Sequence, residues 1–146
     1  MLSSIKICIT DFIIDETIIK VGSEYILVKV AIENDHREIL QINISKGRNI
    51  FVAERFILNL VKRYGEHPVS IDSGTWYLPA CRFLILHHHI HSSYEKSMIE
   101  RRVQCIQDRT EGFDDYFLRR KSKCKLQRML KWFNLFVIHY NYNLLS

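Results

Sequence analysis

Apolar positions along this chain follow two different periods. Up to about residue 45 they alternate or gather in β-branched runs. Residues 5–17 are rich in Ile and Thr, residues 25–32 in β-branched side chains, and residues 38–45 carry Ile39, Leu40, Ile42 and Ile44. Such runs predict three strands. The connectors between them, Gly22-Ser23 and residues 33–37, are short, which predicts an antiparallel meander. From Asn49 the period becomes helical: residues 49–64 place Phe51, Val52, Phe56, Leu60 and Val61 on one broad stripe. Residues 68–72 form a short apolar strand ending on an acid, residues 75–83 a short helix, and residues 84–91 a further strand. Two helices follow. Residues 97–109 carry Ile99, Val103 and Ile106 at 3–4 spacing, and residues 123–143 carry Leu126, Met129, Leu130, Phe133, Phe136, Val137 and Tyr140.

Three antiparallel strands, then helix, strand, helix, strand and helices, is an α/β order. It predicts a mixed sheet of three antiparallel and two parallel strands flanked by helices, the element order of the RNase H-like fold. Composition agrees with one globular unit. The 146 residues are 47% hydrophobic and 25% charged, with only 5 Gly and 2 Pro to build linkers. The expectation is therefore a single domain over residues 1–146, without room for a separate recognition module. Cys8, Cys81, Cys105 and Cys124 are scattered and lack zinc-ligand spacing. Neither a secretory leader nor an 18-residue apolar run is visible, so a cytoplasmic, non-membrane protein is expected.

Charge changes the picture more by its placement than by its net value of +5. Residues 1–100 are nearly balanced. Residues 101–131 concentrate ten basic side chains, among them Arg101, Arg102, Arg109, Arg119, Arg120 and Lys121, against four acids. A localised basic segment suits a phosphate backbone, although a solvated helix face has the same composition.

Three acids stand where the layout makes them converge. Asp15 lies inside the most apolar strand, where an ionised carboxylate is costly unless paired, metal-bound or at a strand end. Asp72 ends the strand expected beside it, about 5 Å away. Glu100 adjoins the apolar Ile99 and Val103 and can lean toward the sheet. Singly, an Asp at a strand end is a turn-former or cap. Together, carboxylates around one point are hard oxygen ligands for Mg²⁺ or Mn²⁺, and two such ions can clamp both oxygens of a phosphodiester displacement.

The segments carrying these acids resemble the catalytic core of DDE-type insertion-sequence transposases. They are I-I-D-E-T-x-I-K-V (13–21), I-D-S-G-T-W-Y (71–77), I-E-R-R-V-Q-C-I-Q-D-R-T-x-x-F (99–113) and the tail W-F-N-L-F-V-I-H-Y-N-Y (132–142). The resemblance runs from about Ile9 to the end of the chain. It implies an active site of Asp15, Asp72 and Glu100 holding two divalent ions. It also implies DNA strand cleavage followed by strand transfer from the freed 3′-OH, and a homodimer or higher oligomer on DNA. Such transposases usually carry an N-terminal module that recognises the element's ends, and here about eight residues precede the first match. Ser73 stands where Gly is common.

Other residues have competing readings. Glu16 alternates to the opposite face from Asp15 and suits a structural role. His87, His88, His89 and His91 invite a metal, but no carboxylate or Cys stands at matching spacing, which favours ordinary strand histidines. Trp76 and Tyr77 can stack on an unpaired base or pack in the core. Arg101 and Arg109 can contact phosphates flanking a cut. Besides the transposase reading stand a catalytically idle remnant that binds DNA or a transposase subunit, and an RNase H-like nuclease.

Overall fold

The computed structural model describes residues 9–35, 37–73, 75–111 and 122–145. Strands β1 (Phe12–Val21), β2 (Glu24–Glu33) and β3 (Ile39–Ser45) precede helix α1 (Ile50–Tyr64). Strand β4 (Val69–Ile71), helix α2 (Tyr77–Phe83), strand β5 (His88–Ile90), and helices α3 (Ser93–Thr110) and α4 (Ser122–Leu145) follow. One five-stranded sheet runs in the order β3-β2-β1-β4-β5. The β1–β2 and β2–β3 pairs are antiparallel, whereas β1–β4 and β4–β5 are parallel. This is the RNase H-like mixed sheet expected from the element order.

Side-chain alternation divides the core in two. From β1, Phe12 and Ile14 pack with Phe56, Ile57 and Leu60 of α1 and with Tyr77, Ala80 and Cys81 of α2. Ile13, Ile19 and Val21 pack on the other face with Met98, Ile99 and Ile106 of α3 and with Met129, Phe133 and Phe136 of α4. Helix α4 is also pinned to the edge strand: the Asn141 amide accepts from the Ile39 N–H and donates to its carbonyl, both at 2.9 Å. That clamp satisfies backbone groups that an open sheet edge would leave exposed.

Strand β1 begins only at Phe12 and α2 only at Tyr77, later than the sequence expectation, and three further boundaries differ by four residues, each for a local reason. Strand β1 runs on to Val21, which pairs with Glu24 across a two-residue turn. Gly22 adopts φ 66° there, a conformation that suits glycine at a tight hairpin. Helix α3 starts at Ser93, not at 97, because Ser92 caps it. The Ser92 hydroxyl accepts from the Glu95 N–H at 3.2 Å, and the Glu95 carboxylate accepts from the Ser92 N–H at 2.8 Å. Strand β5 shrinks to three residues, since Ile85, at φ 56°, interrupts extended backbone before it. Among the described residues no helix is long and apolar enough to cross a membrane.

Phe133 is fully buried at the α4–sheet contact, whereas Leu135 on the same helix is 67% exposed. Phe133→Ala should therefore lower the unfolding free energy by about 3–5 kcal/mol, against less than about 0.5 kcal/mol for Leu135→Ala. Urea denaturation of both variants tests whether α4 is an integral wall of the core.

Candidate active site

Asp15 sits midway along β1, hydrogen-bonded into the sheet opposite Val30. It alternates to the same face as Ile13, beneath α3, where the Gln107 amide of that helix donates to the Thr17 hydroxyl at 2.7 Å. The parallel register of β1 with β4 pairs Phe12 with Val69 and Ile13 with Ser70. Carried onward, it sets Asp72 level with Asp15. Asp72 also alternates to the α3 side, because Val69 and Ile71 belong to the opposite core. Its carbonyl accepts from the Thr75 hydroxyl at 3.0 Å, which turns the chain away just past the strand. Glu100 is exposed, two turns into α3.

Electrostatics ties the three together. Burial pushes the Asp15 carboxyl up to about 6; the Glu16 N–H, donating to it at 2.8 Å, works the other way, and the charges of Asp72, Glu16 and Glu100 raise it further. A half-buried carboxylate with acidic neighbours and one hydrogen bond is an incomplete anion. The donor set, all hard oxygen, fits Mg²⁺ or Mn²⁺ and offers nothing soft that would select another metal.

The adjacent acid has a different fate. Glu16 points to the α1–α2 side, where its carboxylate lies 2.6 Å from Arg48 Nε and accepts from the Tyr77 hydroxyl at 3.4 Å. Lys29 lies cross-strand from it, and burial pushes the Lys29 ammonium down to about 8 while Glu16 holds it up. Glu16 is thus paired and structural.

Tyr77 belongs to the same cluster. It is 2% exposed, and burial together with Glu16 raises its phenol, so it is a neutral donor inside the core. Of the two readings open for Tyr77, base stacking as a DNA contact or core packing, the structure has the second: its ring packs at 6.3 Å against Phe56. Trp76 is 44% exposed and remains open to solvent.

A second correction concerns the histidines. Sequence spacing offered no carboxylate partner for them, but the fold brings two. His89 Nε2 lies 2.9 and 3.0 Å from the Glu95 carboxylate oxygens, and Asp11, just before β1, completes the group. Ligand atoms of Asp11, His89 and Glu95 all lie within 4.8 Å of one another, and among the described residues no other group of His, Cys, Asp and Glu is so close. Asp15, Asp72 and Glu100 stand farther apart than that. Burial raises the Glu95 carboxyl, but the Ser92 N–H and His89 outweigh it and hold it low; burial raises Asp11. Glu95 was legible as the fourth position of the S-x-x-E capping box. Asp11 carried no local signal. His91 bonds the Ser70 hydroxyl at 2.6 Å, His88 the Leu86 carbonyl at 2.9 Å, and His87 is exposed.

The basic candidates divide. Arg101 and Arg109 are exposed on α3. At about 100° per residue they lie roughly 100° and 180° around the helix from Glu100, so Arg109 faces away from the acids. Arg119, Arg120 and Lys121 lie outside the described residues.

With the geometry described, comparison with known proteins places the fold. No protein-family model matches the chain. An uncharacterized protein of Methanocaldococcus jannaschii is 30% identical over 130 residues, a match covering 88% of this chain and 59% of that protein. The chain thus spans somewhat over half the length of the curated relative it matches. Among solved structures, a chain of the simian T-cell lymphotropic virus intasome aligns with TM-score 0.63 at 15% identity, covering 83% of this chain and 46% of that one. The HTLV-2 integrase catalytic core, solved with magnesium, aligns with TM-score 0.60 at 12% identity, covering 83% and 82%. The BIV integrase catalytic core gives 0.57 at 15%, covering 80% and 78%. The fold is that of a retroviral integrase catalytic core.

The raised Asp15 carboxyl has a consequence for stability. In metal-free protein the folded state keeps a proton that the unfolded chain releases near its ordinary value of 3.8. Stability is therefore lost as pH rises from about 4 through about 6, and the full penalty applies above that. Asp15→Asn should be stabilising at pH 7.5 by on the order of 2 kcal/mol relative to its effect at pH 4. Urea unfolding in the presence of chelator at the two pH values measures this. An equal effect at both would contradict the shift.

Proposed function

We propose that this chain is the catalytic domain of a DDE-type transposase that cuts and joins DNA with Mg²⁺ or Mn²⁺. The observation that carries the reading is the half-buried Asp15 carboxyl beneath α3, with the charges of Asp72 and Glu100 acting on it. The integrase-like fold and the motifs around all three acids support it.

In this reading Asp15, Asp72 and Glu100 would hold two divalent ions, which would supply charge neutralisation at the scissile phosphodiester. The protein's part is positioning. Asp15 is fixed by its pairing with β2, Asp72 by the Thr75 turn, and Glu100 by a capped helix. Such rigidity suits in-line displacement, where orientation and charge stabilisation carry most of the catalysis. In the first step water adds its oxygen to phosphorus, the P–O3′ bond breaks, and the 3′ oxygen leaves as a hydroxyl. In the second, that 3′-OH attacks a target phosphorus and displaces the target strand's 3′ oxygen. Two such sites are needed for two ends, which favours a homodimer on DNA. Residues 1–146 act here as one catalytic domain.

A Mn²⁺-dependent nicking and strand-transfer assay tests the proposal. Asp15→Asn, Asp72→Asn and Glu100→Gln should each reduce product formation by about 10²–10³-fold, as expected when several kcal/mol of charge stabilisation is lost at tenfold per 1.36 kcal/mol. Wild type no more active than these variants, while still binding DNA, would identify an idle remnant. Nicking that never leads to joining would identify a nuclease.

A further inference from the structure

On the flank of α3 turned away from Glu100, a cavity of about 50 Å³ is lined by Arg37, Tyr94, Ser97, Met98, Arg101 and Arg102. Three guanidinium groups around one small space repel each other unless an anion joins them. Among the described residues, none of the three forms an ion pair with a carboxylate. Arg102 is the innermost. Its guanidinium lies 5.3 Å from the centre of the Tyr140 ring, and its Nε is shut off from solvent without a hydrogen-bond partner. A buried donor of this kind is expensive to leave unmet. Arg37 comes from the β2–β3 turn and reaches the same place. Burial raises the Tyr140 phenol, and the charges of Arg102 and Arg37 both act against that rise. Arg37 holds φ 60°, a left-handed conformation that is uncommon for a residue with a side chain.

We propose that this pocket holds one phosphate group of a nucleic-acid backbone. Arginine forks match phosphate oxygens in pairs, and the hydroxyls of Tyr94 and Ser97 add neutral donors beside them. The space is far below the roughly 300–1,000 Å³ of a pocket that engulfs a whole small molecule. Its size therefore suits a single tetrahedral group, not a nucleoside. Tyr94 and Arg101 are exposed at its edge, leaving room for the ester to continue as a chain. The nucleic-acid source rests on the DNA-cutting function proposed above. Arg101 and Arg102 lie about 100° and 200° around α3 from Glu100, so the contact is an anchor remote from the cut, not part of the acidic site.

The test uses full-length Asp15→Asn protein throughout, so that binding is read without cleavage. Titration with inorganic phosphate, followed by NMR of the arginine Nε–H groups, should move the Arg102 and Arg37 signals saturably. Duplex DNA affinity is then measured against salt concentration. Arg37→Gly and Arg101→Gln should each lower the slope of log K against log salt by about 0.9, the share of one phosphate. Each should also weaken binding about tenfold at low salt. Arg37→Gly removes the guanidinium while easing the left-handed backbone, so lost affinity cannot be ascribed to misfolding. Moved NMR signals with unchanged salt slopes would overturn the nucleic-acid source in favour of free phosphate. Unmoved signals would overturn the site itself. Both arms read binding alone, so failure of the cleavage reading leaves them intact.

Discussion

Strand β1 is paired with β2 along its whole length and with β4 at Phe12 and Ile13, and all its apolar side chains but Ile18 enter a helix-covered core on one face or the other. Its alternation therefore acts as a sorting device. Phe12 and Ile14 go to the α1–α2 core, and Ile13, Ile19 and Val21 to the α3–α4 core. Asp15 must follow Ile13, and Glu16 must follow Ile14. A shift of one residue would exchange them and place every neighbouring apolar side chain on the wrong side. The hydrophobic register that stabilises the sheet is thus the same constraint that aims one carboxylate at α3. The parallel pairing with β4 extends the constraint toward Asp72, which directly follows the last residue of that strand.

Helix α3 then separates two electrostatic regions. Glu100 is on one flank with the acids of the sheet, while Arg101, Arg102 and Arg109 occupy the other. A nucleic-acid backbone is repelled by bare carboxylates and attracted by the arginines, so without cations the far flank is the more favourable contact. Divalent ions among the acids would reverse the local repulsion. Binding and chemistry can accordingly be carried by opposite sides of one rigid helix, whose start is fixed by the Ser92–Glu95 capping box and whose inner face is fixed by Met98, Ile99 and Ile106.

Much of this was legible in the chain, because much of it is local. The meander follows from β-branched runs and a Gly-Ser turn, and α1 from its helical stripe. The three acids stood out through motif segments whose spacing the sheet register explains. What the sequence hid depends on contacts between distant residues. Asp11 and Glu95 are 84 positions apart and meet only because β1 and the start of α3 lie side by side. Tyr77 follows Trp76 directly, yet one ring enters the core and the other stays outside, a choice made by how α2 seats on Phe56. Arg37 and Arg102 line one pocket from elements 65 positions apart. No periodicity in either segment announces that meeting.

The pair Asp15-Glu16 shows how a fold distinguishes chemically similar groups. Glu16 is the more enclosed in polar partners: Arg48 binds it, Tyr77 donates to it, and Lys29 stands across the strand. Its charge is already compensated, and a metal ion there would have to displace an arginine at 2.6 Å. Asp15 has a single backbone donor and acidic neighbours, so its charge is uncompensated within the described chain. Of two adjacent carboxylates, the one left electrostatically unsatisfied is the one with capacity for a cation. Moreover, the Arg48–Glu16–Tyr77 cluster braces β1 from behind. It holds Asp15 in place by contacts that never touch the acidic face.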